Sequence, residues 1–308
     1  MADFVAQSIN TSGKQKSEFR NYSSSPATVS DSGAAAGSAE DMVRWHYRLM
    51  RERQTVSFVR RMQEKYSFAN GRFRERMTIR EAFRKLESYV DSSDPDSDLP
   101  NMVHMMQTAE GMRRNNCPDW MVLVGLIHDM GKIMFALGGT REDGQNGDAL
   151  SPQWALGGDT FVVGARLPDC TVFPEFNVLN PDMADPRYNS ELGMYQPGTG
   201  LDSLLLAYGH DEYLYHMLLA NGCLLPPEGL AMIRFHSCYP WHSGGAYALL
   251  SSSHDEAMRS WVLEFNKYDL YTKDNAGLGR PVEELWPFYQ SLVDKYLPAE
   301  RENGGLKW

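Results

Sequence analysis

The chain has 308 residues, with 40 acidic against 30 basic side chains and a net charge of −10. That balance argues against a nucleic-acid binder, which carries a basic field, while 42% hydrophobic residues suffice for a substantial core. The longest apolar run, Met121–Ile127, is too short to span a membrane. The first twenty residues lack a signal peptide's apolar centre, and Cys117, Cys170, Cys223 and Cys238 form no C-x-x-C pair. Free thiols in a cytosolic protein without membrane or nucleic-acid partners are therefore expected.

Residues 1–40 are expected to form a partly disordered tail: 23–40 is rich in Ser, Ala and Gly and buries little. Phe19-Arg20-Asn21-Tyr22 is a richer patch and a candidate anchor. From Asp41, Met42, Val43, Tyr47, Met50, Val56, Val59 and Met62 recur at helical spacing. Thr78-Ile79-Arg80-Glu81 is a capping box opening a helix through Phe83, Leu86 and Val90. After the acidic loop that begins at Asp91, Asn101 can cap a helix carrying Val103, Met106, Ala109 and Met112. Pro118 suits the first turn of the next, which is expected to run to Leu137 before Gly138-Gly139. Residues 140–153 read as an exposed polar insertion, and 154–164 as a short hairpin. Further helices are expected over 201–220, 227–235, 255–266 and 283–295. Strand signals are scarce, so the reading is one mostly helical, all-α domain over residues 41–308 with a few short strands.

Two local motifs fail on physical grounds. Gly125–Lys132 resembles a phosphate-binding loop, but five residues separate its glycines, Ile133 replaces the magnesium-holding hydroxyl, and the segment lies in a helical pattern. The Asp91–Asp98 loop suggests a calcium loop, but counting from Asp94 puts Leu99 at the glycine position and Met105 at the glutamate position. Neither H-E-x-x-H nor G-x-S-x-G occurs.

Four histidines, His104, His128, His210 and His236, each sit within or at the end of an apolar helical pattern. His128-Asp129 is embedded in an apolar run, where an unpaired carboxylate is costly to bury. A divalent metal would keep the imidazole neutral and the carboxylate ionised. Each histidine alone reads more readily as a hydrogen-bonded core residue than as a ligand, and spacing does not show that distant helices converge. If these imidazoles meet Asp129 and Asp269, the absence of thiolate disfavours structural zinc and fits iron, manganese or another first-row metal. Six ligands suit two metals sharing a carboxylate, with Asp129 the natural bridge. Lys132, one helical turn beyond His128, would be a substrate hydrogen-bond donor near such a pair, or a snorkelling surface lysine. Arg20, Asp159 and Ser237 carry no signal of their own.

The blocks NMVHMMQTAEGMR, LVGLIHDMGK, QWALGGDTF, DPRYNSELGMYQP, GHDEYLY, MIRFHSCYPWH and EFNKYDLYTK occur in this order. Together they closely resemble the signature blocks of the myo-inositol oxygenase family, from Phe19 nearly to the C-terminus. The resemblance implies an HD-domain-like helical bundle around a mixed-valent Fe(II)/Fe(III) pair with a bridging hydroxide or water. Its ligands would fall on His104, His128, Asp129, His210, His236 and Asp269. Substrate contacts would fall on Arg20, Asp91, Ser93, Lys132, Gly158, Asp159, His236, Ser237 and Lys273, with Lys132 and Asp129 in catalytic roles. Asp211 is expected in an ion pair or supporting a ligand. The implied activity is ring cleavage of myo-inositol by O2 to D-glucuronate and water, by a monomer. The Ser/Ala/Gly linker and the 140–153 segment depart from the family pattern. An HD-type metal-dependent phosphohydrolase is the main alternative, and a catalytically silent polyol-binding or metal-storage protein a third.

Overall fold

The structure is a computed structural model; it describes residues 39–87, 89, 91, 93, 100–147, 152–271 and 278–308. Arg20 and Lys273, together with nearly all of the N-terminal tail, lie outside the described residues.

Helices dominate. Residues 39–65 form α1 (Ala39–Arg53) and α2 (Val56–Lys65), separated where the Thr55 hydroxyl accepts from the Phe58 amide and caps α2. The expected capping box opens α3 (Ile79–Lys85): Thr78 Oγ1 accepts from the Glu81 amide at 3.1 Å, and the Glu81 carboxylate accepts from the Thr78 amide at 2.8 Å. The sheet is minimal. β1 (Arg76–Met77) pairs antiparallel with β2 (Leu306–Lys307), and Trp308 Nε1 donates to the Met77 carbonyl. No helix among the described residues is long and apolar enough to cross a membrane.

The core is organised around α5 (Asp119–Ile127), which is buried from Met121 through Ile127. A helix that is apolar on every side belongs in the middle of the packing. It lies against α4 (Asn101–Arg114) at close range: a Cβ on Gly125 would stand 2.9 Å from Met112 Sδ and 3.1 Å from Ala109 Cα. This glycine lets the two backbones approach. Around them pack α6 (His210–Ala220), α7 (Pro227–Phe235), α8 (Tyr239–His242) and α9 (Ser253–Tyr271), then α10 (Val282–Tyr296) and α11 (Ala299–Glu302).

Several sequence expectations are corrected. The helix expected to reach Leu137 ends at Ile127; His128 turns its Nδ1 back to the Gly125 carbonyl, and the chain tightens into a 3₁₀ stretch over Met130–Ala136. Asn101 is no cap: Pro100 takes that position, and the buried Asn101 side chain accepts from Lys132 Nζ. The helix expected from 201 begins only at His210, because Leu206 and Ala207 are drawn into pairing with Val162 and Phe161. The 154–164 segment therefore bridges to a distant partner and forms no local hairpin. Residues 140–147 of the expected insertion are anchored as well as polar. Gln145 is fully buried and accepts from the Tyr66 hydroxyl at 2.5 Å, and Asp143 binds Lys65 at 2.8 Å.

A buried ion pair ties α6 to α7. The Glu212 carboxylate accepts from Arg234 Nε at 2.8 Å and Nη2 at 3.1 Å, and from His216 Nε2 at 3.1 Å. Burial opposes the charge on Glu212, but Arg234 outweighs it and holds the pKa below the ordinary 4.5. A depressed carboxylate pKa stabilises the fold above the unfolded value and loses that contribution as pH falls through the folded value. Glu212→Gln is expected to cost about 1–3 kcal/mol at neutral pH, since the buried Arg234 guanidinium would keep only the half-exposed Asp202 as its charged partner, at 3.0 Å. It should also flatten the acid limb of the melting temperature below about pH 4.5. Thermal melts from pH 7 to pH 3 check both; an unchanged melting temperature at pH 7 contradicts the assignment.

Candidate metal centre

Five helix ends deliver the predicted ligands to one point. His104 lies in the first turn of α4, His128 caps the C-terminus of α5, and His210 is the first residue of α6. His236 caps the C-terminus of α7, and Asp269 lies in the last turn of α9. Asp129 follows His128 directly. All six are buried. Gly131 permits this convergence, because a Cβ there would collide with the His210 carbonyl.

Three histidines have their tautomer set by backbone. His128 Nδ1 meets the Gly125 carbonyl at 3.0 Å, and His236 Nδ1 meets the Ile233 carbonyl at 3.0 Å, the same fold-back onto the residue three earlier at two helix ends. His210 Nδ1 meets the Leu156 carbonyl at 2.6 Å. A carbonyl only accepts, so each Nδ1 carries the proton and each Nε2 presents a lone pair.

Those lone pairs converge. His210 Nε2 and His236 Nε2 are 3.1 Å apart, and His128 Nε2 and His104 Nε2 are 3.2 Å apart. Asp269 Oδ1 stands 2.9 Å from His104 Nε2 and 3.3 Å from His128 Nε2. Asp129 spans both pairs: Oδ1 is 3.1 Å from His210 Nε2 and 3.8 Å from His236 Nε2, while Oδ2 is 3.6 Å from His128 Nε2 and 3.9 Å from His104 Nε2. Ligand atoms about 2.1 Å from a metal lie roughly 3 Å apart along the edges of its coordination polyhedron. Imidazole nitrogens and carboxylate oxygens gathered at this separation leave a point that a metal ion would fill, so the donors fit a metal by geometry and by chemistry.

The electrostatics agree. Burial disfavours the charged form of Asp129 and of Asp269, yet their partners keep both well below the carboxylate range: Lys132, then His128, for Asp129, and the hydrogen bonds of His104 and His128 for Asp269. Burial also disfavours imidazolium at His210, but Asp211 and Asp129 outweigh it and lift its pKa to about 10. The cluster demands positive charge at this point, which a metal ion supplies.

Asp211 approaches His210 from the other side, its Oδ1 2.9 Å from Nδ1 while Thr160 Oγ1 donates to its Oδ2 at 2.9 Å. It faces the protonated ring nitrogen and so orients the ligand, the ion-pair role expected of it. Lys132 is buried. Its ammonium donates to Asp129 Oδ2 and Asp91 Oδ2, both at 2.7 Å, and to Asn101 Oδ1 at 3.1 Å. Burial opposes the ammonium, but Asp129 and Asp91 hold its pKa well above the ordinary lysine value. The surface-lysine reading is thereby excluded.

The cavity over this cluster is lined by Asp91, Ser93, Gly158 and Ser237 together with Lys132 and the ligand candidates other than His128. Asp159 does not line it. Its carboxylate is fully buried against Arg51, whose Nη2 donates to Oδ1 at 3.0 Å and Oδ2 at 2.9 Å. Sequence reasoning missed Arg51 and the Lys132 partner Asn101: one is a basic residue in a helix rich in them, the other resembled a cap.

The helical fold and this buried imidazole–carboxylate cluster define a metal-binding enzyme. Residues 40–303 match the family model described as Myo-inositol oxygenase. Relatives include inositol oxygenase of Mus musculus, 48% identical over 96% of this chain and 92% of that protein. That of Pongo abelii is 46% identical with the same coverage, and that of Dictyostelium discoideum 40% identical over 93% of this chain and 90% of its own length. The chain belongs to the myo-inositol oxygenase family and is an oxygenase.

Proposed function

We propose that this enzyme cleaves the ring of myo-inositol with O2, giving D-glucuronate and water, at two iron ions. His104, His128 and Asp269 would hold one iron and His210 and His236 the other, with Asp129 shared and a hydroxide or water completing the bridge. The observation that carries this reading is the Asp129 carboxylate, whose two oxygens face different histidine pairs. The chemistry iron would supply when bound is Lewis-acid activation of a hydroxyl and a relay for the four electrons that pass from myo-inositol to O2.

The rest falls to the protein. Lys132 is pinned by two carboxylates and an amide oxygen, so its ammonium is oriented before substrate arrives. It would orient the substrate oxygen, help deprotonate it and stabilise the resulting alkoxide by hydrogen bonding. Asp91 accepts from a substrate hydroxyl, and Ser93 and Ser237 donate or accept beside it. Such polar complementarity rejects isomers that leave a buried group unpaired. Arg20 and Lys273, which lie outside the described residues, would add substrate contacts by the family resemblance. The catalytic unit is residues 41–308, working as a cytosolic monomer.

The phosphohydrolase alternative has less support. Among the described residues lining the cavity, Lys132 is the cationic side chain, and Asp91 and Asp129 already hold it. A neutral polyol suits that lining better than a phosphate. With iron-loaded protein, myo-inositol should consume O2 and yield glucuronate, and nucleotides should release no phosphate. Phosphate release without oxygen uptake would overturn the proposal.

A further inference from the structure

Gly158 lines the cavity, and the turn that carries it, residues 157–159, begins with two glycines, the most pliable backbone available. Their rigidity must come from outside. One helix grips them residue by residue. His46 Nε2 donates to the Gly157 carbonyl at 3.3 Å. Gly158, at φ +90°, rests on Met50: a Cβ there would lie 2.4 Å from Met50 Cε and 3.3 Å from His46 Nε2. Arg51 forks onto Asp159, with both side chains fully buried. Arg51 is itself fixed by Asn177 Oδ1 and the Val172 carbonyl, each at 3.1 Å, and by the Phe161 ring 4.4 Å from its guanidinium. On its other side the turn presses on the substrate face. A Cβ on Gly157 would stand 2.5 Å from Asp91 Oδ2 and 2.7 Å from Ser93 Oγ, and the Thr160 amide donates to the Ser237 carbonyl at 2.8 Å.

We infer that α1 sets substrate discrimination in this enzyme, with His46, Met50 and Arg51 as positioning residues that fix the 157–159 wall against Asp91, Ser93 and Ser237. The inference rests on the polyol-oxygenase reading of the cavity. Inositol isomers differ only in whether a hydroxyl is axial or equatorial. A wall free to shift by an ångström would accommodate either, and misplacement of that size costs about 100-fold in reactivity. Asp159 is held in this clamp by Arg51.

Arg51→Lys keeps the charge and loses the fork. In the full-length, iron-loaded enzyme it should raise KM for myo-inositol about 10-fold and narrow the kcat/KM ratio between myo-inositol and its scyllo epimer by a similar factor. Iron content and kcat should stay within about 3-fold. Calorimetric titration of myo-inositol into the anaerobic protein should weaken in parallel. His46→Gln, which can still donate to Gly157, should keep the wild-type ratio, and His46→Leu should not; this pair tests the inference even where Arg51→Lys fails to fold. Unchanged KM and epimer ratio in Arg51→Lys and His46→Leu would overturn the clamp, as would iron loss that accounts for the whole effect. Wild-type enzyme that oxidises no inositol would overturn the functional reading itself, a result distinct from either.

Discussion

Alanine in place of His104 or Asp269 is expected to remove one iron of the pair and nearly all turnover together. Asp269 Oδ1 stands within 3.3 Å of both His104 Nε2 and His128 Nε2, so each residue completes the same ligand group. Loss of a partner that merely orients a ligand costs 10–100-fold in metal affinity or activity, and loss of a ligand should exceed about 100-fold. The second group, His210, His236 and the Asp129 oxygen facing them, remains intact in either variant. The expected product is therefore a folded protein with at most one iron and no ring cleavage. Metal analysis and oxygen uptake on the same sample check this; full activity in either variant contradicts the ligand assignment.

Lys132→Ala should separate binding from chemistry. Lys132 Nζ touches the proposed ligand Asp129 and the cavity-lining Asp91, but the imidazoles converge without its help. Iron should stay bound while kcat falls by about 100- to 1,000-fold, the scale set by removing one preorganised donor from a developing oxyanion. KM should change less, since the contact strengthens as charge develops. Unaltered kinetics would remove Lys132 from the chemistry.

What the sequence made legible follows from what local patterns encode. The capping box at Thr78 and the helix over Pro227–Phe235 came directly from residue spacing, because caps and apolar stripes act within one or two turns. His128-Asp129 stood out because an ionisable pair in an apolar run needs a partner. That His104 and Asp269, 165 residues apart, would touch at 2.9 Å was not encoded locally and came only through resemblance. The helix boundaries that failed did so at the site itself. α5 stops where His128 folds its ring back onto Gly125, and α6 starts late because Gly209 is extended and Leu206 pairs elsewhere. Tertiary demands overrode periodicity where ligands are presented. Asp159 carries no signal of its own in the sequence and entered only through resemblance; its partner Arg51, 108 residues earlier, is equally invisible to local pattern.

The most direct test of the account is metal analysis of the purified protein combined with Mössbauer spectroscopy, with and without myo-inositol. Two coupled irons per chain, with a spectrum altered by myo-inositol, are the predicted result. One metal per chain, zinc in place of iron, or a spectrum indifferent to the polyol would contradict it.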